Sequence, residues 1–157
     1  IDKVQQAFKW AHEVGLRIID GTFMIGSHKD ENYEDIEHTI RLIREIKPTF
    51  FSVSIVTPLP GTAIYNSMKQ EGLILADNWE KFVYIGEFPS WRTKYFPPEE
   101  LVRLQKYIMK KTYFRLAYLI PLFLRIKSLN ELKYFIDIGY KSFKQIIANR
   151  KVQTYYS

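Results

Sequence analysis

The sequence predicts an α/β domain with parallel strands, followed by an α-helical extension. Residues 50–56 (FFSVSIV) are a short apolar run rich in β-branched and aromatic side chains, which is typical of a buried strand. Residues 33–46 before it place isoleucines at helical spacing, and a second apolar run lies at residues 16–25. The order helix, strand, helix, strand, helix with short loops indicates two βα units. Such units form a parallel sheet, here a slice of a barrel or of an open α/β domain.

The first βα unit follows from apolar spacing and capping residues. Apolar positions from Val4 to Val14 predict a helix that ends at Gly15. Residues 16–25 predict a strand that is broken or bulged around Asp20 and Gly21. The next helix is expected from residue 33 to residue 46. Asn32 is its expected N-cap and acidic residues occupy its first turn, where the helix dipole favours them.

A rigid corner follows the second strand, at residues 57–62 (TPLPGT). Its two prolines fix φ and remove two backbone donors, and Gly61 permits a sharp bend. A short helix is expected from Ala63 to Glu71, capped by Gly72. Because α/β proteins bind ligands at the carboxyl ends of parallel strands, the corner predicts a fixed surface at such a site.

The second half reads as helical. A turn is expected at residues 77–79, a short strand at 82–85 and a helix start at 96–101. Helices are expected from there to residue 150, with breaks at Pro121 and near residues 128–130. Residues 116–124 are nearly all apolar, but the run is too short to span a membrane.

Charge divides the 157-residue chain near Trp91. Residues 1–90 hold 9 basic and 13 acidic residues, whereas residues 91–157 hold 14 basic and 4 acidic ones. We therefore expect two parts, residues 1–90 as the βα part and residues 91–157 as a basic, aromatic helical extension. Such an extension can meet a membrane surface or an acidic partner, and no nucleic-acid-binding motif is present.

The composition also limits the chemistry of the chain. It contains no cysteine, which excludes disulfides, thiolate nucleophiles and cysteine-ligated metals within these residues. The chain opens at Ile1, inside an expected helix, so we expect it to be a piece of a longer protein. No signal peptide is visible, so the expected location is the cytoplasm, with membrane association as an option for the basic tail. His28 stands without further ligands at metal spacing and is expected to be exposed.

Several segments read together resemble the radical S-adenosylmethionine enzymes. Residues 21–26 (GTFMIG) with 32–36 (NYEDI) resemble the fifth strand and following helix of that family, and residues 57–62 resemble the end of its sixth strand. Residues 77–82 (DNWEKF) match the tryptophan segment that follows. The resemblance is to the cobalamin-binding group around the anaerobic magnesium-protoporphyrin monomethyl ester oxidative cyclase. The resemblance covers about residues 1–85, whereas the tail is similar only in its general helical character.

The resemblance implies a fold and an activity for the parent protein. It implies that the chain is the C-terminal slice of a partial (βα)6 TIM-like barrel. A 4Fe–4S cluster on a Cys-x3-Cys-x2-Cys loop and a cobalamin-binding domain would lie in N-terminal regions of the same polypeptide. The parent would cleave S-adenosylmethionine reductively to a 5′-deoxyadenosyl radical, for oxidative cyclisation or methylation of a small-molecule, lipidic or tetrapyrrole substrate. The chain alone would be inactive and bind no cofactor.

The same resemblance implies part of the S-adenosylmethionine pocket but no catalytic residue and no metal ligand. By position, the residues around the adenine would be Met24, Ile25, Gly26, Ser54, Ile55 and Thr57. Apolar side chains and free backbone groups at strand ends can hold a purine, and a glycine permits close approach. The plain alternative is that Met24, Ile25 and Ile55 are ordinary sheet core.

The loop after the first strand departs from the family pattern. The family has Gly-x-Pro-Gly-Glu-Thr there, whereas residues 26–31 read GSHKDE. Asp30 and Glu31 are the candidates for the acidic position of that pattern.

A second interpretation is non-catalytic. The chain would then be an α/β-helical module whose basic aromatic tail binds a partner protein or a membrane surface.

Overall fold

A computed structural model describes residues 1–76, 89–124, 126 and 128–147. The described elements are α1 (Asp2–Glu13), β1 (Asp20–Ile25), α2 (Tyr33–Ile46), β2 (Phe50–Ile55), α3 (Ala63–Gln70), α4 (Pro98–Tyr113), α5 (Leu116–Leu124) and α6 (Leu129–Ile147). The turn expected at residues 77–79 and the strand expected at 82–85 lie outside the described residues.

β1 and β2 form a two-stranded parallel sheet, which confirms the expected pairing. The register runs from Asp20 opposite Phe50 to Ile25 opposite Ile55. β1 begins only at Asp20, so of the two expectations for the strand over residues 16–25 the break near Asp20 is confirmed. The bulge is not formed, because the register is continuous from Asp20 onward. The residues before β1 lack a partner strand because β2 begins only at Phe50, and the Ile19 N–H bonds instead to the Thr49 hydroxyl at 3.0 Å.

Helices cover one face of this sheet, and on the other face α6 reaches only the start of β2, where the Phe135 ring lies 5.3 Å from the Phe50 ring. Ile25, Phe51 and Val53 point into a core with the isoleucines of α2 and with residues 96–109. The isoleucine spacing thus positions α2 as predicted, with the Asn32 side chain accepting from the Glu34 N–H in a capping box. The opposite face carries exposed side chains, namely Thr22, Met24, Ser52 and Ser54. We call these four residues the open face.

α4 belongs to the same core as the strands. Its side chains Leu101, Leu104 and Ile108 are buried against the sheet and α2. The core is therefore continuous across the change of net charge near Trp91, and the division into residues 1–90 and 91–157 stays a prediction from composition.

The two edges of the sheet differ. In a parallel pair, the backbone N–H and C=O groups of alternate residues bond to the neighbouring strand. The Val56 N–H donates to the Ile25 carbonyl, so the backbone groups of even-numbered β2 residues point toward β1. Those of the odd-numbered residues therefore point to the outer edge. Side chains occupy that outer edge. The Tyr113 hydroxyl donates to the Phe51 carbonyl at 2.6 Å and accepts from the Phe51 N–H at 3.2 Å. Gln105 Nε2 donates to the Val53 carbonyl at 2.6 Å. We call these contacts the sealed edge.

β1, in contrast, pairs along one side only in the described part of the chain. Its residues Asp20, Thr22 and Met24 are exposed. A further strand can therefore join the sheet beside β1, whereas the side chains of the sealed edge stand where a strand beyond β2 would pair.

The helix break expected at Pro121 is wrong. Pro121 lies inside α5, and the chain turns instead at Phe114 and Arg115. The turn lets two tyrosines on either side of it reach the same strand: Tyr113 stacks on Phe51 with ring centroids 4.3 Å apart, and the Tyr118 hydroxyl donates to the Thr49 carbonyl at 2.6 Å. Tertiary contacts thus set the break.

Candidate functional site

The ends of the two strands meet at one edge of the sheet. Gly26 follows β1 directly, and Val56 and Thr57 follow β2, with Val56 N–H bonded to the Ile25 carbonyl at 2.9 Å. The expected meeting of Gly26 and Thr57 at the carboxyl edge is therefore confirmed. We call this edge, with the loop over residues 26–32, the candidate site.

Glu31 fixes the loop that leaves β1. Its side chain is buried, and one carboxylate oxygen accepts from the Gly26 N–H at 2.5 Å. The other oxygen lies 3.4 Å from the Ser27 N–H and 3.3 Å from the Ser27 hydroxyl. Of the two acidic candidates, Glu31 is thus the one that bonds back to the strand end, while Asp30 points outward.

A charged cluster ties this loop to the rest of the edge. Lys29 pairs with Glu71 after α3, and Lys94 reaches both Asp30 at 2.6 Å and Glu71 at 3.1 Å. The Lys94 ammonium lowers the pKa of the Asp30 carboxyl, and Lys29 and then Lys94 lower the pKa of the Glu71 carboxyl. The same contacts, Asp30 first, raise the pKa of Lys94.

The sign of the pH dependence follows from these directions. Carboxyl pKa values that are lower in the folded chain stabilise it above the ordinary carboxyl range, and the effect is lost as pH falls through the folded values. The cluster is therefore intact near neutral pH. Because its groups are solvent-exposed, its weight in global stability is small.

The proline corner is braced as the sequence predicts. Pro58 is fully buried, and Gly61 adopts a φ of 90°. The Thr62 hydroxyl donates to the Leu59 carbonyl at 2.7 Å and accepts from the Tyr65 N–H, so Thr62 both closes the corner and caps α3. The exit of β2 is held in one conformation by these contacts.

The six expected cofactor residues divide between the two faces of the sheet. Met24, 61% exposed, and Ser54 lie opposite each other on the open face. Ile25 is fully buried, and Ile55 packs against the same core. The side chains of these two residues therefore belong to the sheet core, which was the alternative interpretation. Thr57 is half-buried beyond the end of β2.

Gly26 has a backbone conformation that favours glycine. Its φ of 68° lies in the left-handed region, and a Cβ placed there would meet Ile55 and Leu101 of the core at 3.5–3.7 Å. Its N–H is already bonded to Glu31. The backbone conformation is thus one reason for glycine here, and the expected contact with the cofactor stays a prediction.

The histidines do not form a metal site. His28 is exposed, as expected, and its Nε2 lies 3.9 Å from Asp35. His12 is half-buried, with Nε2 3.0 Å from the Ile46 carbonyl, and so connects α1 to the end of α2. Across the described residues, no group of three or more His, Asp or Glu side chains could hold a metal ion.

A large groove lies at the opposite end of the strands. Its volume is about 980 Å³, and it runs between α1, the end of α2 and α5, with Thr49 and Tyr118 in its wall. It does not touch the candidate site. None of the helices in the described ranges is both long and apolar enough to cross a membrane.

The chain is similar to two curated methyltransferases. It is 33% identical over 98 residues to an uncharacterized methyltransferase of Pyrococcus horikoshii, which covers 62% of this chain and 20% of the relative. It is 28% identical over 81 residues to the bacteriochlorophyllide d C-8(2)-methyltransferase of Chlorobaculum tepidum, covering 52% of this chain and 18% of the relative. No model of a known protein family matches. The chain thus spans about one fifth of the length of these relatives.

Proposed function

We propose that this chain is part of an enzyme of methyltransferase type that uses S-adenosylmethionine, and that the open face near Met24 and Ser54 forms one wall of the cofactor pocket. Both curated relatives bear the name methyltransferase, which favours methyl transfer over cyclisation. The exposed, mixed apolar and hydroxyl surface at the carboxyl edge is the observation that carries the proposal. Such surfaces bind small molecules in α/β proteins.

The exposure of the sheet favours the proposal that β1 and β2 belong to a larger barrel. Helices cover the outer face, and the opposite face is open from Thr22 and Ser52 to the carboxyl edge. One edge is sealed by side chains, while β1 remains available to another strand in the described part of the chain. This is the arrangement expected of the last two strands of a partial (βα)6 barrel, whose interior would be the open face. We include that barrel in the proposal.

The residues present suit the adenosyl part of the cofactor. The Met24 thioether can pack on a purine, and the Ser54 and Thr57 hydroxyls can bond to its polar edge. Bound S-adenosylmethionine supplies the methyl group or, in the radical family that the sequence resembles, the adenosyl radical. The chain has no cysteine, so its own residues do not fit a 4Fe–4S cluster. Ligands for a cluster, and a cobalamin site, would have to come from another part of the polypeptide.

The test is equilibrium binding of S-adenosylmethionine to the full-length polypeptide. The double variant Met24→Ala with Ser54→Ala should bind about tenfold more weakly, equivalent to roughly 1.4 kcal/mol. The matched control is Thr22→Ala with Ser52→Ala, on the same face but about 7 Å further from the edge. It should change affinity by less than about twofold. Equal losses in both variants, or no loss in the first, would contradict the proposal, with circular dichroism confirming that each variant is folded.

A further inference from the structure

α6 packs against the amino end of the open face. Phe50, the first residue of β2, places its side chain on the same face as Ser52 and Ser54, because side chains alternate along a strand. The Phe50 ring contacts two rings of α6, with its centroid 5.3 Å from that of Phe135 and 6.3 Å from that of Tyr134. We call these three rings the aromatic floor.

An ion pair attaches the start of α6 to the segment before β1. Arg17 Nη1 lies 2.7 Å from Glu131 Oε1. The Arg17 carbonyl accepts from the Thr49 hydroxyl at 3.3 Å, so the pair stands beside the residue that precedes β2. The Glu131 N–H donates to the Ser128 hydroxyl at 3.2 Å, which fixes the first turn of α6. α6 is therefore held at the amino ends of both strands.

The open face changes in character along its length. Toward the carboxyl edge its side chains are exposed, and the Thr22 and Ser52 hydroxyls lie 3.4 Å apart. At the amino end Phe50 and Phe135 are half-buried against each other. Ser54 and Phe50 are separated by four residues, or about 13 Å along the strand. A pocket in front of the open face would thus have hydroxyl groups in its wall and aromatic rings at its inner end.

The two strands do not close that inner end with their own side chains. In a closed βα barrel, bulky branched residues of the strands fill the interior in layers. Here the four residues of the open face are three short hydroxyl side chains and a methionine. The rings that stand at the amino end come from Phe50 and from α6.

We propose that α6 closes the amino end of the pocket in front of the open face, so that ligands enter and leave at the carboxyl edge, and that Phe50 and Phe135 set how deep a ligand can reach. This inference rests on the proposed function, since the open face is a pocket wall only when the larger barrel forms. It adds the direction of access and two residues that limit ligand length. A ligand that reaches the aromatic floor meets apolar rings there, so its inner end is apolar.

The experiment places one cysteine on the open face of the full-length polypeptide, by Ser52→Cys, and measures the rate at which N-ethylmaleimide labels it. Mass spectrometry of the peptide that carries residue 52 gives the rate, with glutathione as the reference for a free thiol. Adding Phe135→Ala should raise the rate about threefold or more, because it opens a second path to the thiol. Phe135→Leu, which keeps a large apolar side chain, should give an intermediate rate.

The matched control is Ile136→Ala, which changes the next residue of α6. Ile136 is 60% exposed and does not belong to the aromatic floor, so the labelling rate should stay unchanged. Saturating S-adenosylmethionine supplies a second comparison. It should slow labelling severalfold by occupying the carboxyl edge, and Phe135→Ala should remove this protection while Ile136→Ala retains it.

Two results would contradict the inference. Equal rates with Phe135→Ala and Ile136→Ala, both slower than glutathione, would show that the pocket exists but that α6 does not close it. Labelling as fast as glutathione in every variant would show that nothing encloses the open face, which contradicts the proposed barrel as well. Faster labelling with Phe135→Ala but no protection by S-adenosylmethionine would support the closed amino end and contradict the cofactor wall. Circular dichroism confirms that each variant is folded.

Discussion

At the residue scale, Glu31 shows how one buried carboxylate can hold a strand end in place. Its oxygens accept from two successive backbone N–H groups, those of Gly26 and Ser27, where the chain turns with a positive φ. Bonds from neutral donors to an ionised acceptor are among the stronger hydrogen bonds in proteins. The buried Glu31 side chain therefore holds the loop over residues 26–32 against the end of β1.

Replacing Glu31 by alanine should cost about 1–3 kcal/mol in the free energy of unfolding, because it leaves the buried Gly26 N–H without an acceptor. The exposed neighbour gives the matched control: Asp30→Ala should change it by less than about 0.5 kcal/mol, since its contact with Lys94 is at the surface. Urea unfolding measures both, and equal effects in the two variants would contradict the inward role of Glu31.

The sequence offered two candidates for the acidic position of this loop, and it could not distinguish them. Asp30 and Glu31 are adjacent and chemically alike, and the difference between them is one methylene and the direction of the loop. For Gly26 the sequence predicted close approach of a ligand, and the structure adds a positive φ as a reason for glycine, which cannot be distinguished from the first reason in a sequence.

At the scale of elements, the sealed edge uses side chains where a third strand would otherwise pair. Tyr113 and Gln105 lie about two turns apart on α4 and bond to Phe51 and Val53, which are two residues apart on β2. Two side chains of one helix thus bond to successive outward-facing residues of one strand.

Tyr113→Phe should destabilise the protein by about 1–3 kcal/mol, because the ring that stacks on Phe51 remains while the Phe51 N–H and carbonyl both lose their partner. Hydrogen exchange at the Phe51 amide should accelerate as well. Tyr107→Phe on the same helix removes an exposed hydroxyl that bonds to Glu37 and should stay within about 0.5 kcal/mol. An unchanged Phe51 exchange rate in Tyr113→Phe would argue against the sealed edge.

Periodicity predicted the elements well and their side-chain bonds hardly at all. The isoleucines of α2, the Asn32 cap and the proline at the first position of α4, Pro98, predicted where the helices begin and end, because local spacing, local hydrogen bonds and the fixed φ of proline determine these bounds. The tyrosines of α4 and α5 looked like a packing stripe, since nothing local in the sequence shows which backbone group a phenol hydroxyl will reach. The misplaced break at Pro121 has the same origin.

At the scale of the whole molecule, the absence of cysteine gives a direct expectation for metal content. Anaerobic incubation of this 157-residue chain with iron and sulfide should yield no stoichiometric cluster, because thiolates hold such clusters and the chain has none. The control is the full-length polypeptide under the same conditions. Stoichiometric iron and sulfide on the 157-residue chain, read by absorption and elemental analysis, would contradict the expectation.

The unequal edges of the sheet also limit how copies of this chain can aggregate. Fibres grow when every subunit offers two strand edges, one to the subunit before it and one to the subunit after it. Here Tyr113 and Gln105 close one edge, so within the residues that the structure describes this sheet has one position for strand addition, beside β1. Two copies joined through β1 would expose no further edge of this sheet. Self-association by this route is therefore expected to stop at a pair and not to propagate into a polymer.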